Sequence, residues 1–429
     1  MRMDIKKKLG KKPMTLNKSK LIGLTKTVLS HVKKISYDEA KPLFEKHIGS
    51  VMIDQHDGVL YFNDESGPIL EEAVRLIKLD PLFADISRKT ISGKYIDFIS
   101  RIFSEKATDD KIESEVESFL KMLRASIDQH RVLMPIEKLK LRDIDEITIG
   151  NVKFIPFNSI KTDTDQKIDA WSPEDANKIW GEVLVHAELA EAETKGQREI
   201  ERAINLLRMY IPILFPKEYN RKIGLDKYDL KSRTSVVIDS KGNMHNGKTN
   251  LGPFGDYNIS QKNLADLRKN YSFDEINAIL SKMLSSRTDL EESITMAIRW
   301  LGLGVENEVL SDRFLHYAIA LECLLIKRGE QGDKTKPISE RAAFVLGTTL
   351  KECSEIEENV KLLYDIRSRI VHQGCEAEEE EIIEDSIQNI YNLSMSILLY
   401  LTKMTTSGKE KWEKIDDLVI KIDEKKFAR

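Results

Sequence analysis

Between Arg313 and Ile326 the chain is apolar nearly all round. Phe314, Leu315, Tyr317, Ala318, Ile319, Ala320, Leu321, Cys323, Leu324 and Leu325 fill the stretch, with one acid, Glu322, in its middle. A helix of this composition has no face to give to water and is buried on more than one side. The stretch therefore predicts a helix inside a bundle. A carboxylate on such a helix needs a partner, for which Arg367 or Arg369 is the natural candidate. The alternative is that Glu322 faces a solvated groove.

Companion helices can be read on both sides. Thr288 with Glu291 is a capping box, and Leu290, Ile294, Ala297 and Leu301 follow as one core stripe. A short helix is expected over Ile338–Leu346. A longer one starts at a second capping box, Ser354 with Glu357, and stops at Gly374 as the C′ glycine. Its stripe is Leu363, Ile366 and Ile370. Glu378–Leu401 supplies the last helix, and Lys409–Lys426 reads as an appended charged helix. The expected fold class is mainly α, with an antiparallel helical bundle over 286–405 and a charged tail over 406–429.

The helix ending at Gly374 is the one place where basic side chains and a histidine coincide with a helical pattern. Arg367 and His372 lie off its apolar stripe, about 140° apart and about 7.5 Å along the axis. Tyr364, Ser368 and Val371 lie between them. A solvated face does not need Tyr364 and Val371, so a second contact surface is expected there, covered by another helix of this chain or of another subunit. Arg369, three residues before His372, shares its face more closely. Spacing alone is more often that of a capped helix with an exposed Arg, and a His near the C-terminus where the macrodipole favours a cation.

The surroundings add to this. Tyr364-Asp-Ile-Arg-Ser-Arg-Ile-Val-His372 resembles the motif helix of the Apea-like HEPN family. So do Ala320-Leu321-Glu322 with Leu324-Leu325, the polar loop Lys327–Lys336, and the segment Leu290–Leu303 with Trp300-Leu301-Gly302. The resemblance covers about residues 286–405. It implies a HEPN-like bundle and a metal-independent endoribonuclease without a cofactor. Arg and His from two facing motif helices would meet in a cleft between the subunits of a homodimer and cut RNA through its 2′-hydroxyl. Arg367 would be the phosphate clamp and His372 the general acid/base. A histidine is suited to moving protons near neutral pH, and a fixed guanidinium to holding phosphate bidentately. Tyr364, Ser368, Arg369 and Glu322 would be supporting or RNA-binding residues. Ser368 stands where the family often has Asn, Asp or His and cannot ionise. Bacterial anti-phage defence by abortive infection, set off by a phage-derived or host trigger, is the role the resemblance implies. The alternative is a non-catalytic HEPN module that dimerises and binds nucleic acid or protein. The acidic run Glu376, Glu378–Glu381, Glu384 and Asp385 favours that alternative, because it would repel RNA if it lined the site.

Ahead of the bundle, residues 1–132 read as mostly helical, with amphipathic spacing at Ile69–Ile77 and Ile112–Ile127 and a shorter helical candidate at Tyr95–Ile102. Arg2, Lys6, Lys7, Lys8, Lys11, Lys12, Lys18 and Lys20 stand against Asp4. Such an arm suits contact with phosphates and equally a solvated terminus. His56, in Asp54-Gln55-His56-Asp57-Gly58, reads as part of a turn.

Residues 133–285 read as mixed α/β, a sensor or regulatory region. Ile147, Ile149, Val152 and Phe154 alternate about Gly150-Asn151 as a hairpin, and a second hairpin is expected at Ser235–His245. Ser172-Pro173 starts a helix that carries Ile179, Val183, Ala187 and Ala190, with His186 at the surface. Gly196 interrupts it, Ile200–Tyr210 resumes it, and Pro212 and Pro216 stop it.

Composition closes off other classes. A net charge of −4 carries no overall nucleic-acid signature, and no apolar run has the ~18 residues of a membrane span. With no signal-peptide core, a cytoplasmic location is expected. Cys323, Cys353 and Cys375 are too few and scattered for a disulfide framework or zinc site. No Walker A or dinucleotide fingerprint occurs, and Leu301-Gly302-Leu303-Gly304 follows a helix rather than a strand.

Overall fold

The apolar periodicity of the C-terminal half becomes helices, and the alternation near residue 150 becomes a sheet. A computed structural model describes residues 15–46, 51–55, 58–160, 177–216, 223–225, 233–238, 244–250, 256–373, 377–406 and 411–427. The described chain is mainly helical, with an antiparallel five-stranded sheet in its middle region. It divides into two compact units, Met1–Val132 with Leu184–Gly196, and Leu133–Val183 with Gln197–Arg429.

The first unit contains helices α1 (Lys18–His31), α2 (Tyr37–Lys46), α3 (Ser66–Lys78), α4 (Arg88–Ser104) and α5 (Asp109–Ala125). Of the segments read as helical, Ile69–Ile77 and Tyr95–Ile102 fall inside α3 and α4, and Ile112–Ile127 runs two residues past the end of α5. Their apolar stripes make one core with α1, in which Leu21, Ile77, Ile91, Ile99 and Leu123 are wholly buried. The Phe98 and Phe119 rings stack 4.8 Å apart, and the buried Thr25 and Tyr95 hydroxyls satisfy each other at 2.8 Å. Strands β1 (Val32–Ile35), β2 (Val51–Gln55) and β3 (Gly58–Phe62), which the helical reading did not anticipate, form an antiparallel sheet in the order β1-β3-β2. Gln55 pairs with Gly58. His56 and Asp57 between them lie outside the described residues, as does the basic arm up to Met14.

The central sheet has the order β6-β7-β8-β4-β9, from β4 (Asp128–Glu137), β6 (Ile147–Ile149), β7 (Val152–Pro156), β8 (Ile179–Ala187) and β9 (Gly224–Leu225). The hairpin expected about Gly150-Asn151 is β6–β7, with Ile147 opposite Phe154. Strand β5 (Leu139–Arg142) pairs in parallel with β12 (Tyr257–Ser260). The second expected hairpin is β10 (Arg233–Ile238) with β11 (Met244–Asn250). Its turn lies outside the described residues.

Three readings of the middle region are corrected. Ile179–Ala187 is a strand and not a helix, and Val183 lies opposite Val152. Residues four apart satisfy both a helical and a two-residue period. The second period is the real one, because Val183, Val185 and Ala187 are buried while Leu184 and His186 are exposed. Ser172 and Pro173 lie outside the described residues. Helix α6 (Leu189–Leu214) runs unbroken through Gly196. A Cβ at Gly196 would stand 2.5 Å from Val132 Cγ1, so the glycine permits close packing and does not break the helix. Pro212 is inside α6 rather than its stop, and the carbonyl of Met209 in that turn accepts the Tyr391 hydroxyl at 2.5 Å.

The bundle follows α7 (Gln261–Asn270) and α8 (Phe273–Ser281). It consists of α9 (Asp289–Glu306), α10 (Leu310–Leu325), α11 (Thr335–Leu346), α12 (Leu350–Gln373), α13 (Ala377–Thr406) and α14 (Ile415–Phe427). The Thr288–Glu291 capping box starts α9 as expected, and Leu290, Ile294, Ala297 and Leu301 are wholly buried. Helix α10 touches α9, α11, α12 and α13. Helix α12 begins a turn earlier than expected, because Thr349 and Glu352 form the reciprocal cap in place of Ser354 and Glu357. Gly374 and Glu376 lie outside the described residues, as do the side chains of Glu378–Glu384.

Where α6 crosses α9, a Cβ on Gly302 would stand 2.6 Å from the backbone oxygen of Asn205. Gly302→Ala forces two helix backbones apart and is expected to destabilise the protein by about 1–3 kcal/mol. Gly93→Ala in α4, where nothing lies within 4 Å of the new methyl, is expected to stabilise by about 0.4–1 kcal/mol. Urea unfolding of the two variants checks both signs.

Candidate active site

Helix α12 turns its apolar stripe into the bundle. Val360, Leu363 and Ile366 are buried, and Tyr364 beside them is only 4% exposed. The surface expected about Tyr364 is thus filled by this chain itself, since the neighbours that bear on its phenol are Glu322 and Cys323 of α10 and Arg367. Tyr364 therefore does not report a second subunit. Val371, by contrast, is exposed, as is Leu362.

Glu322 does find the expected cation. Its Oε1 lies 3.3 Å from Arg367 Nη2. Arg369, the other candidate, pairs instead with Asp365 one turn back, at 3.5 Å. The residue that sequence reasoning missed is Lys334, whose Nζ donates to Glu322 Oε2 at 2.6 Å. No local spacing links residues 322 and 334. The fold brings them together through a loop clamped by Arg341, which donates to both oxygens of Glu330 at 2.8 Å and to the Leu325 carbonyl. Arg341 beside it holds the Glu330 carboxyl below its ordinary range. The clamp is therefore at full strength at neutral pH and is lost only as the pH falls through that lowered range.

The cluster about Glu322 is not balanced. The Tyr364 hydroxyl, Arg367 Nε and Glu322 Oε1 are buried and meet no hydrogen-bond partner among the described residues. Burial pushes the Tyr364 phenol well above its ordinary range, and the Glu322 charge adds to this while Arg367 opposes it. Burial, with Glu322 second, pushes the Cys323 thiol up to about 11, which leaves it a poor nucleophile.

The two motif residues are housed differently. Arg367 is half-buried against α10, whereas His372 and Ser368 are exposed. Arg367, Glu322, Tyr364 and Lys334 form one cluster, Arg369 pairs with Asp365, and Ser368 and His372 are exposed on α12. Among the described residues no group of three or more His, Cys, Asp or Glu side chains is placed to hold a metal ion. No helix among them is long and apolar enough to cross a membrane.

Comparison with protein-family models, with curated proteins and with solved structures finds no match to this chain.

Proposed function

We propose that the chain is a metal-independent endoribonuclease of HEPN type, acting in the cytoplasm as a homodimer through the outer face of α12. Its proposed role is anti-phage defence by abortive infection, released by a phage-derived or host trigger. The observation that carries the reading is the state of Arg367. It is fixed to a helix and shares the carboxylate of Glu322 with a second cation, Lys334. Two cations share one carboxylate there, and a phosphodiester supplies the further negative charge. His372 is accessible five residues on and flanked by the exposed Val371. In a dimer that brings two α12 helices face to face, His372 of one copy can approach Arg367 of the other.

In this reaction the ribose 2′-oxygen attacks the adjacent phosphorus, the 5′-oxygen of the next nucleotide leaves, and a 2′,3′-cyclic phosphate remains. His372 moves the proton between the attacking and leaving oxygens, and Arg367 stabilises charge on the phosphoryl oxygens.

The test is digestion of total cellular RNA by the purified protein in EDTA, with His372→Ala beside it. Wild-type cutting that leaves cyclic phosphate ends is expected, with a drop of about 10²–10⁴-fold in the variant. Equal activity of the two would remove His372 from the site. The second reading, a non-catalytic binding and dimerisation module, is favoured by the different housing of the two residues, Arg367 half-buried and His372 exposed. It predicts RNA binding without cleavage by either protein.

A further inference from the structure

We propose that Glu322 is the positioning residue of Arg367, and that Lys334 competes with Arg367 for this carboxylate and so sets how firmly the guanidinium is held. The inference rests on reading Arg367 as a phosphate clamp. One carboxylate serves two cations through different oxygens. Lys334 Nζ sits at a full charge-assisted hydrogen-bond distance of 2.6 Å, while Arg367 Nη2 at 3.3 Å is loosely held. Arg367 therefore has less than the bidentate grip that a carboxylate can give a guanidinium fork.

The three groups differ in how easily they can move. The Glu322 side chain is 13% exposed and stands on α10, the most enclosed helix of the bundle. Arg367 is anchored on α12 beside buried Tyr364. The Lys334 side chain is 42% exposed at the edge of the loop, and an ion pair with so exposed a partner is cheaply exchanged. A purely structural ion pair would have its buried donors and acceptors matched. This cluster carries one carboxylate against two cations, and leaves Arg367 Nε, the Tyr364 hydroxyl and Glu322 Oε1 unmet among the described residues. Its excess of one cation suits one more anionic group. A phosphodiester arriving there offers Lys334 a second anion. When Lys334 turns to it, both oxygens of Glu322 become available to Arg367, which is then held in one plane while it grips the phosphate.

The experiment combines two readouts on the full chain. The first is solvent exchange of the Arg367 Nε–H, followed by NMR on arginine-labelled protein and assigned by its loss in Arg367→Lys. Glu322→Gln, close in size and uncharged, is expected to speed that exchange, and Lys334→Met to slow it. Unchanged exchange in Glu322→Gln overturns the positioning role. The second readout is RNA cleavage. Glu322→Gln is expected to lower kcat by about 10–100-fold with KM moving less than about threefold, as misplacement of a catalytic group does. Glu322→Asp, which keeps the charge, is expected to recover part of the loss. Wild-type kcat in Glu322→Gln, alongside an inactive His372→Ala, also overturns the inference. If the wild-type protein cuts no RNA, the nuclease reading fails, and the exchange measurement alone decides whether Glu322 holds Arg367.

Discussion

Replacing Arg208 with alanine is expected to cost about 3–5 kcal/mol of stability, among the largest losses available to a single polar substitution in this chain. Arg208 is 1% exposed on α6. It donates to the Ile223 carbonyl at 2.8 Å and to Asn205 Oδ1 at 2.9 Å, and pairs with Glu306 at the end of α9 and with Glu201. Alanine removes this cation from beside Glu306, whose side chain is 11% exposed. Loss of the buried cation together with its hydrogen bonds sets the size of the effect. The double variant Arg208→Met with Glu306→Met is expected to recover most of the loss, since a buried pair replaced together by apolar side chains is often nearly neutral. A double-mutant cycle by urea unfolding checks both statements. Equal stability of Arg208→Ala and wild type would mean that water reaches Glu306. The same contact explains why a fragment beginning at residue 286 is a poor test of the bundle alone, because its Glu306 would lack the arginine that α6 supplies.

The helices from Thr288 onward were legible because their apolar residues recur with a period close to 3.6 over long stretches, and because the capping box before α9 has its full set of side chains. The β6–β7 hairpin was legible from strict alternation about Gly150-Asn151. Ile179–Ala187 was misread because residues four apart fit two periods at once. What separates them is the burial of Val185, a residue the helical reading did not use. Gly196 and Pro212 were taken as breaks by their local chemistry. The deciding facts were not local: Val132 packs against Gly196, and Tyr391 donates to Met209 O in the turn of Pro212. At the candidate site, Glu322 and its arginine could be anticipated, since a lone acid on an apolar helix has to be answered by a cation. Lys334 could not be, because only the loop clamped by Arg341 and Glu330 carries it to Glu322. The face that Tyr364 was taken to mark belongs to the interior of the chain, since an aromatic residue on a helix shows that something covers it without showing what.

Arg367→Ala is expected to separate function from stability. The substitution removes one of the two cations on Glu322, yet the closer one, Lys334 at 2.6 Å, remains. The carboxylate is not stranded, and the lost pair is partly exposed, with a 30% exposed arginine side chain. Stability should therefore change by less than about 1 kcal/mol, in contrast to Arg208→Ala. Under the proposed ribonuclease function, cleavage is expected to fall by about 10²–10³-fold, the usual effect of removing a group that stabilises charge in a transition state. Arg367→Lys should lie between the two, since it keeps the charge but has no planar fork to lie along a phosphate. The measurement is single-turnover cleavage of a short RNA, with 2′-O-methyl RNA of the same sequence as the binding control. A fall in cleavage with binding nearly intact assigns Arg367 to the chemistry. An equal fall in binding assigns it to holding the strand. Undiminished cleavage with the same cyclic phosphate ends removes Arg367 from the site, and with it the argument that this cluster of two cations on one carboxylate takes a phosphate.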